Sequence, residues 1–480
     1  MSKKIVAEEC PPPHLHPTFG NLLGGSIEGT CIDPTNTLPA AYQIGRVLIY
    51  TWTSHIMHLP RNPPDIDSIL SDGQKSKDVL SEEIKGYAKD FNRKYLHWSE
   101  VRFRETGPFD PDTVWTRMKL VRMDSSVTLV FGETHYHYCI TDSMMRTLHE
   151  FDMRASVGLF PETVDPHRKV YYSVSSLMEE SIASSQIEGA VTTSKRAKEM
   201  LRKNIPPKDK SEMMILNNYN AMRFIKEHLE EPLTPDLIKE IHRIVTDRTL
   251  DEQYRGMFRD NDDVVVQNSL SGEVYHQPIP RVQIESAIME LCSFINDESE
   301  FLHPVIKGII LHYVIAFIHP FEDGNGRVAR TLFYWYELKS GYWLMEYLSL
   351  SRYIREHKGK YEDSYIFGES DDNDMTYFIL YNLKALMDSV DRFEDYLKRK
   401  MDEECTMKVR LSDYGLNDRQ VRIVTGLING DTITVRSIEN QYKVSLNTAR
   451  SDIKTLIGLD LLTETGREVN MKVYSWSGKE

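Results

Sequence analysis

The stretch that most limits how this chain can fold is LHYVIAFIHPFEDGNGRVAR, residues 311–330, at the end of an apolar run that begins near residue 305. A run this apolar reads as a buried helix. Pro320 ends it, because the residue before a proline is pushed out of helical geometry. His319 is thereby left at the mouth of the helix. Gly324, Asn325 and Gly326 permit a sharp turn, and the residues beyond return to helical spacing, with Asn325 as the expected N-cap of a second helix.

Chemistry is concentrated in that bend. A helix N-terminus flanked by glycines offers unpaired N–H groups and a partial positive charge, a ready cradle for phosphate. Arg327 and Arg330, three residues apart, are expected to share a face and to hold more than one phosphate. Asp323 adds a hard oxygen where Mg2+ could bridge polyphosphate oxygens. Read together, these groups describe a metal-bound nucleoside triphosphate with a histidine beside it, able to take a proton from an incoming hydroxyl.

The run His319-Pro320-Phe321-Glu322-Asp323-Gly324-Asn325-Gly326-Arg327-Val328-Ala329-Arg330 resembles the complete signature of the Fic-domain adenylyltransferases, with no position departing from the pattern. The resemblance implies that His319 deprotonates a Ser, Thr or Tyr hydroxyl of a target protein, which attacks the α-phosphorus of ATP and releases pyrophosphate. It implies Asp323 as the Mg2+ ligand, Gly324–Gly326 as the anion hole, Arg327 and Arg330 on the β- and γ-phosphates, and Phe321 as an inward anchor. An ordinary histidine titrates near about 6.5, so His319 is expected to be a neutral base at cellular pH.

Upstream, residues 173–187 read as a helix stopped by Gly189, which leaves Glu188 at a helix C-terminus in need of a cation. Arg330 is the candidate. Ser184-Ser185-Gln186-Ile187-Glu188-Gly189 resembles the inhibitory motif of regulated Fic proteins, in which the glutamate pairs with the second signature arginine and blocks placement of the γ-phosphate. Between 256 and 280, Val264, Val265 and Val266 and then Val274 and Tyr275 flank a polar loop with Gly272, a hairpin by pattern. By resemblance this is the Fic flap, which holds a target backbone by strand addition. Tyr361 aligns roughly with a family tyrosine near the adenine pocket, and plain helix packing is its other reading.

The 480 residues are too many for one core. A formal charge of −14 argues against whole-chain attraction to nucleic acid or anionic membrane. Five scattered cysteines, at 10, 31, 139, 292 and 405, suggest reduced thiols and a cytoplasmic protein. The N-terminal lysines precede no apolar segment, and the strongest apolar stretch is too short to cross a bilayer, so neither a secretory signal nor a membrane partner is expected.

Elsewhere, residues 40–58 read as a helix or strand–helix element, 79–104 as helical, and 126–140 as a hairpin. His135 and His137 would share a strand face, but no third ligand stands near them. Thr234-Pro235 opens a helix in which His242 has a packing place. From 416 to 476, three short helices and a terminal hairpin suggest a winged helix-turn-helix, with Asn447, Arg450, Ser451 and Lys454 exposed on the recognition helix. Eleven Lys/Arg against nine Asp/Glu from residue 408 onward leave DNA and protein equally open as its partner.

The expected architecture is mainly α: an all-α Fic core with a β-hairpin flap, an N-terminal α+β accessory region and a C-terminal winged helix-turn-helix. Expected bounds are 1–165, an inhibitory segment at 166–200, a catalytic domain at 201–395 and a terminal domain at 405–480. The expected activity is autoinhibited adenylylation of a target protein, or of the chain itself, with ATP as substrate, Mg2+ as cofactor and a homo-oligomer as one assembly. Two rivals stand beside it: removal of AMP at the same site, and a DNA-binding regulator that uses the Fic unit as a nucleotide sensor.

Overall fold

The computed structural model describes residues 62–156, 166–267, 272–427, 432–468 and 471–478. All of them belong to one compact unit, Ala41–Glu480; the other unit, Met1–Ala40, and the element expected at 40–58 lie outside the described residues.

The N-terminal region comprises α1 (Ile66–Ser71), α2 (Gly73–Leu80), α3 (Glu82–Arg93), α4 (Trp98–Val101) and α5 (Pro111–Ser125), then β1 (Ser126–Phe131), β2 (Thr134–Cys139) and α6 (Asp142–Ser156). The central helices are α7 (Pro166–Ile187), α8 (Ser194–Lys203), α9 (Lys210–Glu227) and α10 (Pro235–Val245). Two short strands, β3 (Val266–Gln267) and β4 (Val274–His276), follow them. Then come α11 (Arg281–Asn296), α12 (Pro304–Ile318), α13 (Asn325–Lys339), α14 (Leu350–Glu356), α15 (Lys358–Ser370) and α16 (Thr376–Leu411). The chain ends with α17 (Asp418–Leu427), β5 (Ile433–Thr434), α18 (Val435–Tyr442), α19 (Leu446–Gly458), β6 (Leu462–Glu468) and β7 (Met471–Trp476). No described helix is long and apolar enough to cross a membrane.

Helix α12 is the axis of the core. Every residue from Val305 to Ile318 except Ala316 is buried, as an all-round apolar helix requires. It packs against α11, α13 and α16 in the largest apolar cluster, which also takes in Ile238 and Ile241 of α10 and Ile187 of α7. Thr234 caps α10, its side chain accepting from the Leu237 N–H, with Pro235 at the first turn.

The 79–104 segment divides where Ser81 and His97 cap separate helices, and Arg122 and Lys119 of α5 join this region to the core. The hairpin pairs antiparallel from Ser126↔Cys139 to Phe131↔Thr134. His137 Nδ1 meets Thr128 Oγ1 across the strands at 3.0 Å, and the His137 backbone bonds to Asn373 and Met375 ahead of α16.

Two expected boundaries fall inside helices. The 395/405 boundary lies within the 36-residue α16, and the 200/201 boundary lies within α8. The inhibitory segment is not separable by packing either, because α7 shares apolar contacts with α9 and α14. Beyond α16, α17 to α19 and an antiparallel sheet ordered β5-β7-β6 enclose a second core of Ile423, Ile438, Ile453 and Leu456.

Candidate active site

Helix α12 ends where Pro320 forbids its continuation, and His319 takes a left-handed conformation there (φ 52°). Gly324 turns the chain again at φ 90°, a conformation that glycine adopts without strain. Gly324, not Asn325, is the N-cap of α13. The expected cap fails because the Asn325 amide is committed elsewhere: its Oδ1 accepts from the Phe321 N–H at 2.9 Å and its Nδ2 donates to the Phe321 carbonyl at 2.8 Å. An amide carries both a donor and an acceptor, so one side chain closes the loop on both sides of Phe321.

The surroundings of His319 fix its tautomer. Its Nδ1 lies 3.1 Å from the Ala316 carbonyl, which can only accept, so Nδ1 carries the proton and Nε2 the lone pair. Burial is the largest cause lowering its pKa from 6.5 to about 4; the charges of His276 and Arg259 add to it, while the Ala316 bond and Glu188 oppose it. The ring is therefore neutral by a wider margin than an ordinary histidine.

Arg259 braces this loop from outside the signature. Its Nε donates to the His319 carbonyl at 3.0 Å, its backbone N–H to the Pro320 carbonyl at 2.9 Å, and its Nη2 to the Ile279 carbonyl. His242 braces the other end. The Gly256 N–H donates to its Nδ1 at 2.9 Å, so Nε2 carries the proton and donates to the Asp323 carbonyl at 2.8 Å. Its ring stacks on Phe321 at 3.8 Å with 2° between planes. The packing place read from the sequence is thus also a hydrogen-bonding one. No periodic signal marks either role, since both partners are backbone groups brought in by the fold.

The two signature arginines diverge, although their three-residue spacing leads one to expect a shared face. Arg327, 1% exposed, donates from Nη1 to the Val245 carbonyl at 2.8 Å and from Nη2 to Asp323 Oδ1 at 3.2 Å. Asp323 Oδ1 also accepts from the Gly324 N–H at 2.5 Å. Arg330 turns toward α7. Its Nε donates to Ser184 Oγ at 2.9 Å, and its Nη2 donates to the Ser184 carbonyl at 3.1 Å and to Glu188 Oε1 at 2.8 Å.

Glu188 follows directly on α7, and Gly189 leaves the helix at φ 91°. Its Oε1 lies where a Cβ on Gly326 would stand. A carboxylate therefore already rests against the glycine at the start of α13, with Arg330 beside it. The end of α7 is clamped by Arg355 on the Gln186 side chain and by Lys358 Nζ, 3.3 Å from the Ile187 carbonyl.

In the flap, Val266 pairs with His276 and Gln267 with Val274, with a register irregularity between them. Val264, Val266 and Tyr275 are buried, Val265 is half-buried, Val274 is exposed, and Gly272 has φ 69°. The turn at 268–271 lies outside the described residues. Tyr361 is buried, its hydroxyl 3.0 Å from His312 Nε2 and 3.3 Å from Tyr365. That is the packing alternative, a hydroxyl ladder inside the helix bundle.

Residues 232–336, which include this loop and the helices on either side of it, match the Fic/DOC family. Over 126 residues, 25% of this chain and 23% of the relative, the chain is 31% identical to the protein adenylyltransferase fic-1 of Caenorhabditis briggsae. Over 128 residues, 25% of this chain and 24% of the relative, it is 33% identical to the protein adenylyltransferase Fic of Drosophila virilis. The chain thus spans about a quarter of these relatives' own length. A Fic family protein from Desulfovibrio desulfuricans G20 superposes with a TM-score of 0.46 and 20% identity, covering 72% of this chain and 98% of that one.

Proposed function

We propose that this chain is an autoinhibited protein adenylyltransferase that moves AMP from ATP to a hydroxyl of a protein. The observation that carries the reading is the Glu188 carboxylate, which lies against Gly326 and on Arg330, where an anion at the α13 N-terminus would sit. A carboxylate in that cradle stands in for a phosphate oxygen, and its position fits the donor set to a triphosphate.

His319 Nε2 takes the proton of a Ser, Thr or Tyr hydroxyl as the oxygen attacks the α-phosphorus. The bond from the α-phosphorus to the bridging oxygen breaks, and pyrophosphate leaves with that oxygen. The α13 N-terminus stabilises the charge on the phosphate oxygens. Arg330 serves the γ-phosphate once Glu188 withdraws, and Arg327 holds the Asp323 carboxylate in place. Asp323 would hold Mg2+ through a hard carboxylate oxygen, and the ion would supply charge neutralisation for the phosphates. The flap edge holds the target backbone through Val274 and its neighbours.

Incubation with α-phosphate-labelled ATP and Mg2+ tests this. Label is expected on protein, more of it with Glu188→Gly and none with His319→Ala; label that persists without His319 removes the proposed base.

A second reading, DNA contact by the C-terminal unit as a winged helix, is favoured by how α19 segregates its charges. Asn447, Arg450, Ser451 and Lys454 are exposed, whereas Asp452, the acidic residue of α19, is buried and held by Arg419 at 2.6 Å and Gln420 at 3.0 Å. The outer face of α19 is therefore more basic than the balance of the whole unit. Retention on duplex DNA at low salt that is lost with Arg450→Ala and Lys454→Ala supports this contact, and no retention of the parent chain overturns it.

A further inference from the structure

His276 lies on β4, outside every motif of the site. Its Nε2 is 2.7 Å from the Phe317 carbonyl, and its Nδ1 is 3.0 Å from each oxygen of the Glu369 carboxylate. A carbonyl and an ionised carboxylate both accept and neither donates. The Phe317 carbonyl can only accept, so His276 Nε2 carries a proton and donates to it, while Nδ1 faces the carboxylate. The ring also packs on Phe317, with centroids 4.5 Å apart.

We propose that His276, held between Glu369 and the Phe317 carbonyl, is a positioning residue that ties the flap to the last turn of the helix carrying His319. This rests on the adenylyltransferase reading, in which flap and base must meet one hydroxyl.

Three physical consequences converge on that assignment. Phe317 is two residues before His319, and its carbonyl is one of those at the end of α12 that lack an intrahelical donor. The bond fixes the spacing between the flap strand, which is to hold a target backbone, and the imidazole that is to take the target's proton, and sub-ångström placement of that kind governs transfer rates. The short β3–β4 ladder, with its irregular register, has few bonds of its own to set the spacing.

The charged and titratable groups around His276 are Glu369 on α15, His319 at the end of α12, and Arg259, which bonds to the His319 carbonyl; Tyr136 and Tyr313 adjoin Glu369. The positive charge of His276 is among the influences that keep His319 neutral.

The test uses the full chain carrying Glu188→Gly, with His276→Phe, His276→Gln and Glu369→Gln added separately. Amide hydrogen exchange at residues 272–276 is expected to quicken about tenfold in His276→Phe, with α16 unchanged, because a charge-assisted bond is lost. His276→Gln, which can still donate to the Phe317 carbonyl, restores most of the protection. The acid limb of label incorporation from α-phosphate-labelled ATP moves to higher pH in His276→Phe, because His319 loses a neighbouring cation. Glu369→Gln quickens flap exchange in the same direction and serves if His276→Phe does not fold. Unchanged flap exchange in His276→Phe, or an unmoved acid limb, overturns the proposal. Flap exchange that responds while no variant ever transfers label leaves the tie standing and removes the adenylyltransferase reading instead.

Discussion

Glu188 Oε1 lies 2.8 Å from Arg330 Nη2, and the same guanidinium is held by the side chain and the carbonyl of Ser184, one turn earlier on the same helix. The contact proposed as inhibitory is a two-point grip of one helix on one arginine. It is intramolecular and preformed, and Arg355 and Lys358 anchor the end of that helix from α14 and α15.

Glu188→Gly removes the carboxylate and leaves Arg330 to Ser184. ATP affinity, read by titration calorimetry, is expected to rise about 5- to 150-fold, the range of an ordinary coupling between two sites. Melting temperature without nucleotide falls, because Arg330 is buried and loses its anion. Saturating ATP restores it by binding the folded state. Equal ATP affinity in the two proteins would deny that Glu188 competes with phosphate.

Acid sensitivity follows from four buried imidazoles. Burial lowers His319 and His242 from 6.5 to about 4 and His97 to about 3, and places His312 well below the ordinary range. A histidine whose folded pKa is depressed binds its proton in the unfolded chain first. Its contribution to stability is full above pH 6.5 and is lost as pH falls from there toward the folded value, by up to about 1.4 kcal/mol per pH unit for each group. Urea midpoints between pH 7 and 4 are expected to fall steeply, and His97→Phe to flatten the slope by about one proton. A flat profile in the parent protein would contradict neutral burial of these rings.

Much of the active loop was legible because it is local. The proline that ends α12, the glycine that turns the chain and the pairing of Glu188 with Arg330 each have a sequence signal of a cap, a turn or a charge seeking its partner. Arg259, His242 and His276 left none. Their side chains reach carbonyls of His319, Asp323 and Phe317, and backbone groups carry no side-chain identity to read. Arg327 was misjudged for a related reason: three-residue spacing places two side chains on one face of a helix, but neighbouring helices decide where their ends go. The N-terminal region was illegible at long range, since Arg122 finds Tyr377 and Asp371 some 250 residues away.

Arg122 accordingly offers a test of that junction. Its guanidinium donates to Tyr377 at 2.7 Å, to the Leu96 carbonyl at 2.8 Å and to Asn92 at 2.8 Å, and it lies over the Tyr95 ring at 3.9 Å. Arg122→Met keeps much of the volume but leaves these acceptors and the buried Asp371 short of a cation. A loss of about 3–5 kcal/mol in unfolding free energy is expected, with limited proteolysis cutting between α5 and α6 first. A loss below about 1 kcal/mol would mean that the N-terminal helices dock by apolar packing alone.

Glu337 on α13 is fully buried, and neither carboxylate oxygen has a hydrogen-bond partner among the described residues. Burial, with the charge of Asp152 adding to it, pushes its pKa well above 4.5. The folded chain keeps it protonated while the unfolded chain ionises it, so stability is lost as pH rises above 4.5 toward the folded value. Glu337→Gln removes the ionisation and keeps the shape. The variant is expected to be more stable than the parent at pH 8, by about 1–3 kcal/mol, and level with it near pH 4. Equal denaturation midpoints at pH 8 would place an unseen cation or water at that carboxylate.

His242 braces the loop from α10. It holds the Asp323 carbonyl by one edge, the Gly256 N–H by the other and Phe321 by its face. His242→Phe preserves the stack and the volume and removes only the two bonds, leaving a buried carbonyl and a buried N–H unmatched. A stability loss of about 1–3 kcal/mol is expected from that mismatch. If the loop merely packs, transfer of label in a Glu188→Gly background should follow stability and recover on cooling. If the bond to Asp323 sets where its carboxylate points, transfer falls at every temperature at which the protein is folded, and the Mg2+ concentration needed for half-maximal transfer rises. Titrating Mg2+ at two temperatures separates these, because a carboxylate turned away from its ligand position weakens metal binding without unfolding anything.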